Sequence, residues 1–190
     1  DLVQGNSIHS KAFTEDDTTT VTLNGKTITL EQGSPIIYVR QGATGANNGT
    51  SWANAYSSLA TALTNAPTGS EIWVAQGTYR PTTTTDRDIS FDLKNLVEVY
   101  GGFNGTETSR AQRNFTVNPT ILSGDIGAPN DRSDNSYNVV TGNNLSASTV
   151  LDGFTITDGN NTLSTGDGAG FDLSNSSPIL ANLLVINNST

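Results

Sequence analysis

Leu151-Asp-Gly-Phe-Thr-Ile-Thr-Asp-Gly159 and Asn182-Leu-Leu-Val-Ile-Asn-Asn188 are the two stretches that decide the fold. Each holds a short apolar strand, Phe154-Thr-Ile156 in the first and Leu184-Val-Ile186 in the second. Each strand runs into a turn of Asp or Asn, residues whose side chains close local turns and tolerate left-handed backbone. The two lie roughly 30 residues apart, a spacing typical of repeats that stack one on the next.

Working back toward the N-terminus, other short strands are bounded by Gly, Asn, Asp and Ser. They are expected at Pro35–Val39, Glu71–Ala75, Ile89–Leu93, Val97–Tyr100, Thr120–Leu122, Tyr137–Val140, Gly170–Leu173 and Pro178–Leu180. The stretch Val150–Thr157 reads as one strand. No helical pattern separates the later strands, so helical crossovers between them are excluded. A sandwich or a β-solenoid remains. One helix is expected at 51–65. Ser51 is its N-cap, Trp52, Tyr56, Leu59 and Leu63 form one apolar stripe, and Pro67 and Gly69 stop it. A solenoid's first coil has no neighbour beneath it, so a lone amphipathic helix before the strands reads as a cap.

Residues 1–34 differ from the rest. Asp1–Asp17 is polar and irregular, with the sole histidine, His9, read as a solvated tail residue. Thr20–Leu30 then alternates around Asn24-Gly25, the signal of a hairpin with a type I′ turn. The expected organisation is an extension with a β-hairpin, 1–34, followed by one domain, 35–190. The chain starts at Asp1, which reads as a processed or trimmed N-terminus.

The 190 residues carry a net charge of −9, and 34% are hydrophobic while only 14% are charged. Nucleic acid is an improbable partner for such a chain, because phosphate binding needs clustered Lys and Arg. The only lysines are Lys11, Lys26 and Lys94. With no Cys there are no disulfides and no thiolate metal sites. No apolar run approaches the ~20 residues needed to span a bilayer. The acidic, Thr- and Asn-rich composition suits an exported, well-hydrated surface.

These residues carry a resemblance. Ile37-Tyr-Val39, Asn48-Gly-Thr-Ser-Trp-Ala-Asn-Ala-Tyr56, Glu71-Ile-Trp-Val-Ala-Gln-Gly-Thr-Tyr-Arg-Pro81 and Tyr100-Gly-Gly-Phe-Asn-Gly-Thr-Glu-Thr-Ser-Arg110 occur in order. They are followed by Pro119–Ile126, Asn135–Val140, Leu151–Gly159 and Gly168–Phe171. Together, over about 36–187, they resemble the opening of bacterial secreted and cell-surface right-handed parallel β-helix proteins, which have a pectate-lyase-like fold and polymorphic outer membrane protein-type repeats. The resemblance implies an all-β chain: a right-handed parallel β-helix, or β-solenoid, with one N-terminal capping α-helix. Proteins of this kind usually continue for many more coils than the two or so visible here.

No catalytic residue is expected. The acids Asp125, Asp131, Asp134, Asp152, Asp158, Asp167 and Asp172 are scattered among turns, whereas general acid–base work needs groups converging within hydrogen-bond reach. For Asp125, Asp131 and Asp134, gathered in one loop, two readings stay open. One is a calcium site, since calcium takes six to eight hard oxygens. The other is a turn held by Asx hydrogen bonds. Asp158–Asp167 is a weaker instance of the first. Trp52, Trp73, Tyr79 and Tyr100 could form a sugar-stacking platform, but the apolar patterns around Trp52 and Trp73 favour core or cap packing. Gly101-Gly102 and Gly166–Gly170 open no helix, so they read as tight corners and not as phosphate loops.

The expected function is that of an extracellular structural or adhesive surface protein. The 21–30 segment is expected either to add strands to a neighbour's open end or flank, giving a homo-oligomer or a head-to-tail filament, or to fold back on its own β-helix. The alternative is a carbohydrate-binding or polysaccharide-processing module.

Overall fold

The computed structural model describes residues 3–4, 7–8, 19–23, 26–30, 33–163 and 168–190. The chain divides into two compact units, Asp1–Ser34 and Pro35–Thr190.

In the first unit, β1 (Val3–Gln4) pairs antiparallel with β2 (Ser7–Ile8). The strands β3 (Thr19–Leu23) and β4 (Lys26–Leu30) form the expected hairpin, with Val21 opposite Ile28 and Thr20 opposite Thr29. The Asn24-Gly25 turn and His9 lie outside the described residues.

The second unit is built from β5 (Ile36–Val39), α1 (Leu59–Asn65), β6 (Glu71–Ala75), β7 (Gly77–Tyr79), β8 (Phe91–Asp92) and β9 (Glu98–Phe103). Then come β10 (Thr120–Ser123), β11 (Val140–Asn143), β12 (Val150–Asp152), β13 (Thr155–Thr157), β14 (Phe171–Ser174), β15 (Ile179–Ala181) and β16 (Leu184–Ile186). Every pairing in this unit is parallel. Three sheets result, ordered β15-β12-β9-β6-β5, β16-β13-β10-β7 and β14-β11-β8. From β6 onward the chain visits the three sheets in strict rotation, eleven described strands in all, which is more than the two or so coils expected. The fold is all-β, with one α-helix among the described residues.

The residues between the sheets form one core. Ile72, Val74, Phe91, Val97, Val99, Leu122, Val140, Leu151, Phe154 and Ile156 are buried there. Alternation within each strand sends these side chains inward and their neighbours out. The rotation is enforced at corners by residues with left-handed backbone at register-equivalent positions. Gly153 and Asn182 follow the paired Asp152 and Ala181, and both have positive φ (86° and 49°). Asn144 and Asn175 do the same after β11 and β14, and Asp158 and Asn187 after β13 and β16. Gly and Asn are the residues that adopt this conformation at least cost.

Several expectations need correction. The helix begins at Leu59 and not near 51; its N-cap is Ser58, whose hydroxyl accepts the Thr61 N–H at 3.2 Å. Ser51 instead closes a turn by accepting from the Asn54 N–H. Tertiary contacts pull 51–56 out of helical form: Tyr56 bridges to Val39 and Trp52 reaches a different sheet face. Val150–Thr157 is not one strand but two in different sheets, broken by Gly153 and Phe154. Thr155, not Phe154, stands opposite Leu184. The strand expected at Tyr137–Val140 begins where that stretch ends, and β7 had no expectation attached to it.

Candidate functional site

The two ends of the stacked sheets are treated differently. At β5 the free edge is taken up by the following loop. The Tyr38 N–H donates to the Gly49 carbonyl, the Tyr56 N–H to the Tyr38 carbonyl and the Arg40 N–H to the Tyr56 carbonyl, all at 2.9 Å. The helix lies against β5, β6 and β8 and buries Leu59, Ala62 and Leu63.

At the other end β14, β15 and β16 are the outermost strands of their sheets, and no described strand pairs with their outer edges. The apolar residues here stay in contact with solvent: Ile179 is 50% exposed, Leu180 42%, Leu184 53%, Val185 50% and Ile186 40%. An adjoining cleft of about 350 Å³ is lined by Phe115, Pro119, Phe154, Leu183 and Leu184. Among the described strands these edges carry no strand partner and lie beside apolar side chains.

A second feature lies on the outer face of the five-stranded sheet. Trp73, Tyr100 and Phe103 are buried there, with Tyr38 and Trp52 against them. The Trp73 and Phe103 rings stack at 4.8 Å, so the aromatics form a second small core and not a sugar platform. The covering segment, 104–118, is held down by polar anchors. The Glu107 carboxylate, in a residue only 7% exposed, accepts the N–H groups of Asn104, Gly105 and Thr106. The Trp52 indole donates to the Glu107 carbonyl at 2.9 Å. Arg113 pairs with Asp152. Arg110 bridges Glu71 and Glu98 at 3.0 and 3.3 Å, two like charges that the parallel register sets directly opposite each other. Burial first, and then Glu98, push the Tyr100 phenol well above its ordinary value. Sequence reasoning missed this charged group. The signal was Glu71-Ile-Trp73 matched by Glu98-Val-Tyr100, a charge-apolar-aromatic repeat.

The structure places Asp125, Asp131 and Asp134 in one loop but gives each its own partner. Asp125 accepts the Asn130 N–H at 3.0 Å and pairs with Arg80 at 3.2 Å. Asp131 accepts the Ser133 hydroxyl and N–H, which hold its carboxyl below its usual value. Asp134 accepts the Ala128 N–H at 2.7 Å. Among the described residues no three of His, Cys, Asp or Glu gather as a set that could hold a metal ion. Asp167 lies outside the described residues. Beside Arg80 opens a polar cleft of about 730 Å³, lined by Gln41, Ser57, Ser58, Thr61, Thr78 and Thr82. No helix among the described residues is long and apolar enough to cross a membrane. No family model, curated protein or solved structure matches this chain.

Proposed function

We propose that this chain is an extracellular structural or adhesive surface protein, folded as a right-handed parallel β-helix, that assembles head to tail. The rotation of strands among three parallel sheets supports the helical reading, and the general preference for right-handed crossovers supports the hand. The observation that supports the assembly is the set of half-exposed apolar residues on the outermost described strands, Ile179, Leu180, Leu184, Val185 and Ile186. The occupant is the β3–β4 hairpin of a neighbouring copy. A two-stranded ribbon is marginal alone, and its register matches Val21 with Ile28, so it gains by joining a larger sheet. Donor and acceptor surfaces differ, so the contact is heterologous and propagates.

Sedimentation and electron microscopy of the intact chain test this. Filaments are expected, and both deletion of residues 1–34 and Val185→Lys are expected to leave monomers. An intact chain that stays monomeric at high concentration, or a deletion variant that associates as well as the intact one, overturns it. A second reading is carbohydrate binding, favoured by the hydroxyl-rich cleft beside Arg80. Calorimetric titration with neutral and acidic oligosaccharides, compared between the intact chain and Arg80→Ala, separates that reading from the first.

A further inference from the structure

Asp134 and Asn135 are consecutive, and each leaves its side-chain Oδ1 buried without a hydrogen-bond partner. Among the described residues only one other buried side-chain atom shares that state, Ser146 Oγ. Two such atoms on consecutive residues are the starting point for the inference below.

Asn135 is 2% exposed, and its Nδ2 donates to the Asp158 carbonyl at 2.6 Å. Turning the amide over would set oxygen against oxygen, so the unpartnered atom is the amide oxygen. Asp134 spends Oδ2 on the Ala128 N–H, which leaves Oδ1 bare. A buried acceptor without a donor is costly, and more so when charged. The nearby guanidinium groups are committed elsewhere. Arg80 pairs with Asp125, Arg87 donates to the carbonyls of Asn135 and Asn160, and Arg132 donates to the carbonyl of Asn187. Asp125, Asp131 and Asp134 thus stand among Arg80, Arg87 and Arg132, none of which donates to the two bare oxygens. Two bare, hard oxygens, one of them from a carboxylate, match a cation of the calcium class, which accepts carboxylate, amide and main-chain oxygens with water.

We propose that Asp134 Oδ1 and Asn135 Oδ1 are ligands of such a cation, with main-chain carbonyls and water completing its shell. Asp125 and Asp131 hold the loop and do not ligate. The site has one carboxylate, which is why no triad of acids marks it.

The test uses the intact chain after chelation, with calcium up to roughly 10 mM, ten times the weakest extracellular affinities. At ten times Kd the Tm is expected to rise by about 3–6 °C. Terbium luminescence should saturate and be displaced by calcium. Asp134→Asn keeps the Ala128 contact but should lose both responses, whereas Asp131→Asn should keep both. An intact chain with no thermal shift and no terbium signal overturns the proposal. So does an Asp131→Asn variant that loses the response equally. An Asp134→Asn variant that melts above the parent with calcium inert on both also overturns it, because a proton or water then fills the gap.

Discussion

Leu96 takes a φ of 63° while 38% exposed, although its side chain is one that disfavours left-handed backbone. Its register equivalent is Gly69, at φ 83°, whose N–H donates to the Leu96 carbonyl. Leu96→Gly is therefore expected to stabilise by about 1 kcal/mol, read as a rise in thermal midpoint; an unchanged or lower midpoint contradicts it. The opposite holds at Gly101. A Cβ there would meet the Gly153 carbonyl oxygen at 2.5 Å, so Gly101→Ala should destabilise by about 1–3 kcal/mol in the same assay. Tyr79 gives a pH signature. Its phenol is buried, donates to the Ala75 carbonyl at 2.9 Å and is pushed up to about 12. Below pH 10 the folded and unfolded phenols are both protonated, so its contribution is complete. Between pH 10 and about 12 only the unfolded phenol ionises, and about 2–3 kcal/mol of stability is lost. Denaturant titrations across that range should show the loss, with a shallower slope in Tyr79→Phe. Tyr100, raised in the same direction, keeps part of the loss in that variant.

Among the elements, the 104–118 covering segment depends on a few charges. The side chains of Arg113 and Asp152 are 14% and 12% exposed, so their pair is largely out of water. Removing one partner of a buried pair costs roughly 3–5 kcal/mol because the other charge is stranded. Arg113→Ala is expected to fall near the lower end of that range, since the pair keeps some solvent. Arg110 differs. Its side chain is 45% exposed, and exposed pairs contribute little after screening. Its role is to relieve the in-register Glu71 and Glu98, so Arg110→Gln should destabilise most at low salt. Denaturation at two ionic strengths checks this: equal effects at both would mean the relief is not electrostatic.

At the scale of the whole 35–190 unit, the described strands differ in how they are paired. Inner strands such as β9 are paired on both sides, while β14, β15 and β16 are paired on one side only. Local opening is easiest where few apolar contacts and many exposed hydrogen bonds coincide. Hydrogen exchange is thus expected to be slowest around Val74 and Val99 and fastest around Ile179 and Ile186. In assembled material the last strands should gain protection selectively. Protection that is uniform along the chain, or unchanged on assembly, would contradict that picture.

The strands, their turn punctuation and the all-β class were legible in local pattern. Period-two alternation and Gly, Asn or Asp at corners act over a few neighbouring residues, and those residues lie together in the chain. The hairpin at β3–β4 was legible for the same reason. What local pattern could not carry was any choice made by distant partners. Residues 51–56 have a helical stripe, yet Val39 and the aromatic layer claim Tyr56 and Trp52. Val150–Thr157 reads as one strand, yet its two halves pair with β9 and β10 in different sheets. The loop 125–135 reads as three equivalent carboxylates. Only the tertiary structure decides that Asp125 meets Arg80, that Asp131 caps its own turn, and that Asp134 and Asn135 are left with bare oxygens, because burial and partnership are set by chain segments far away in sequence.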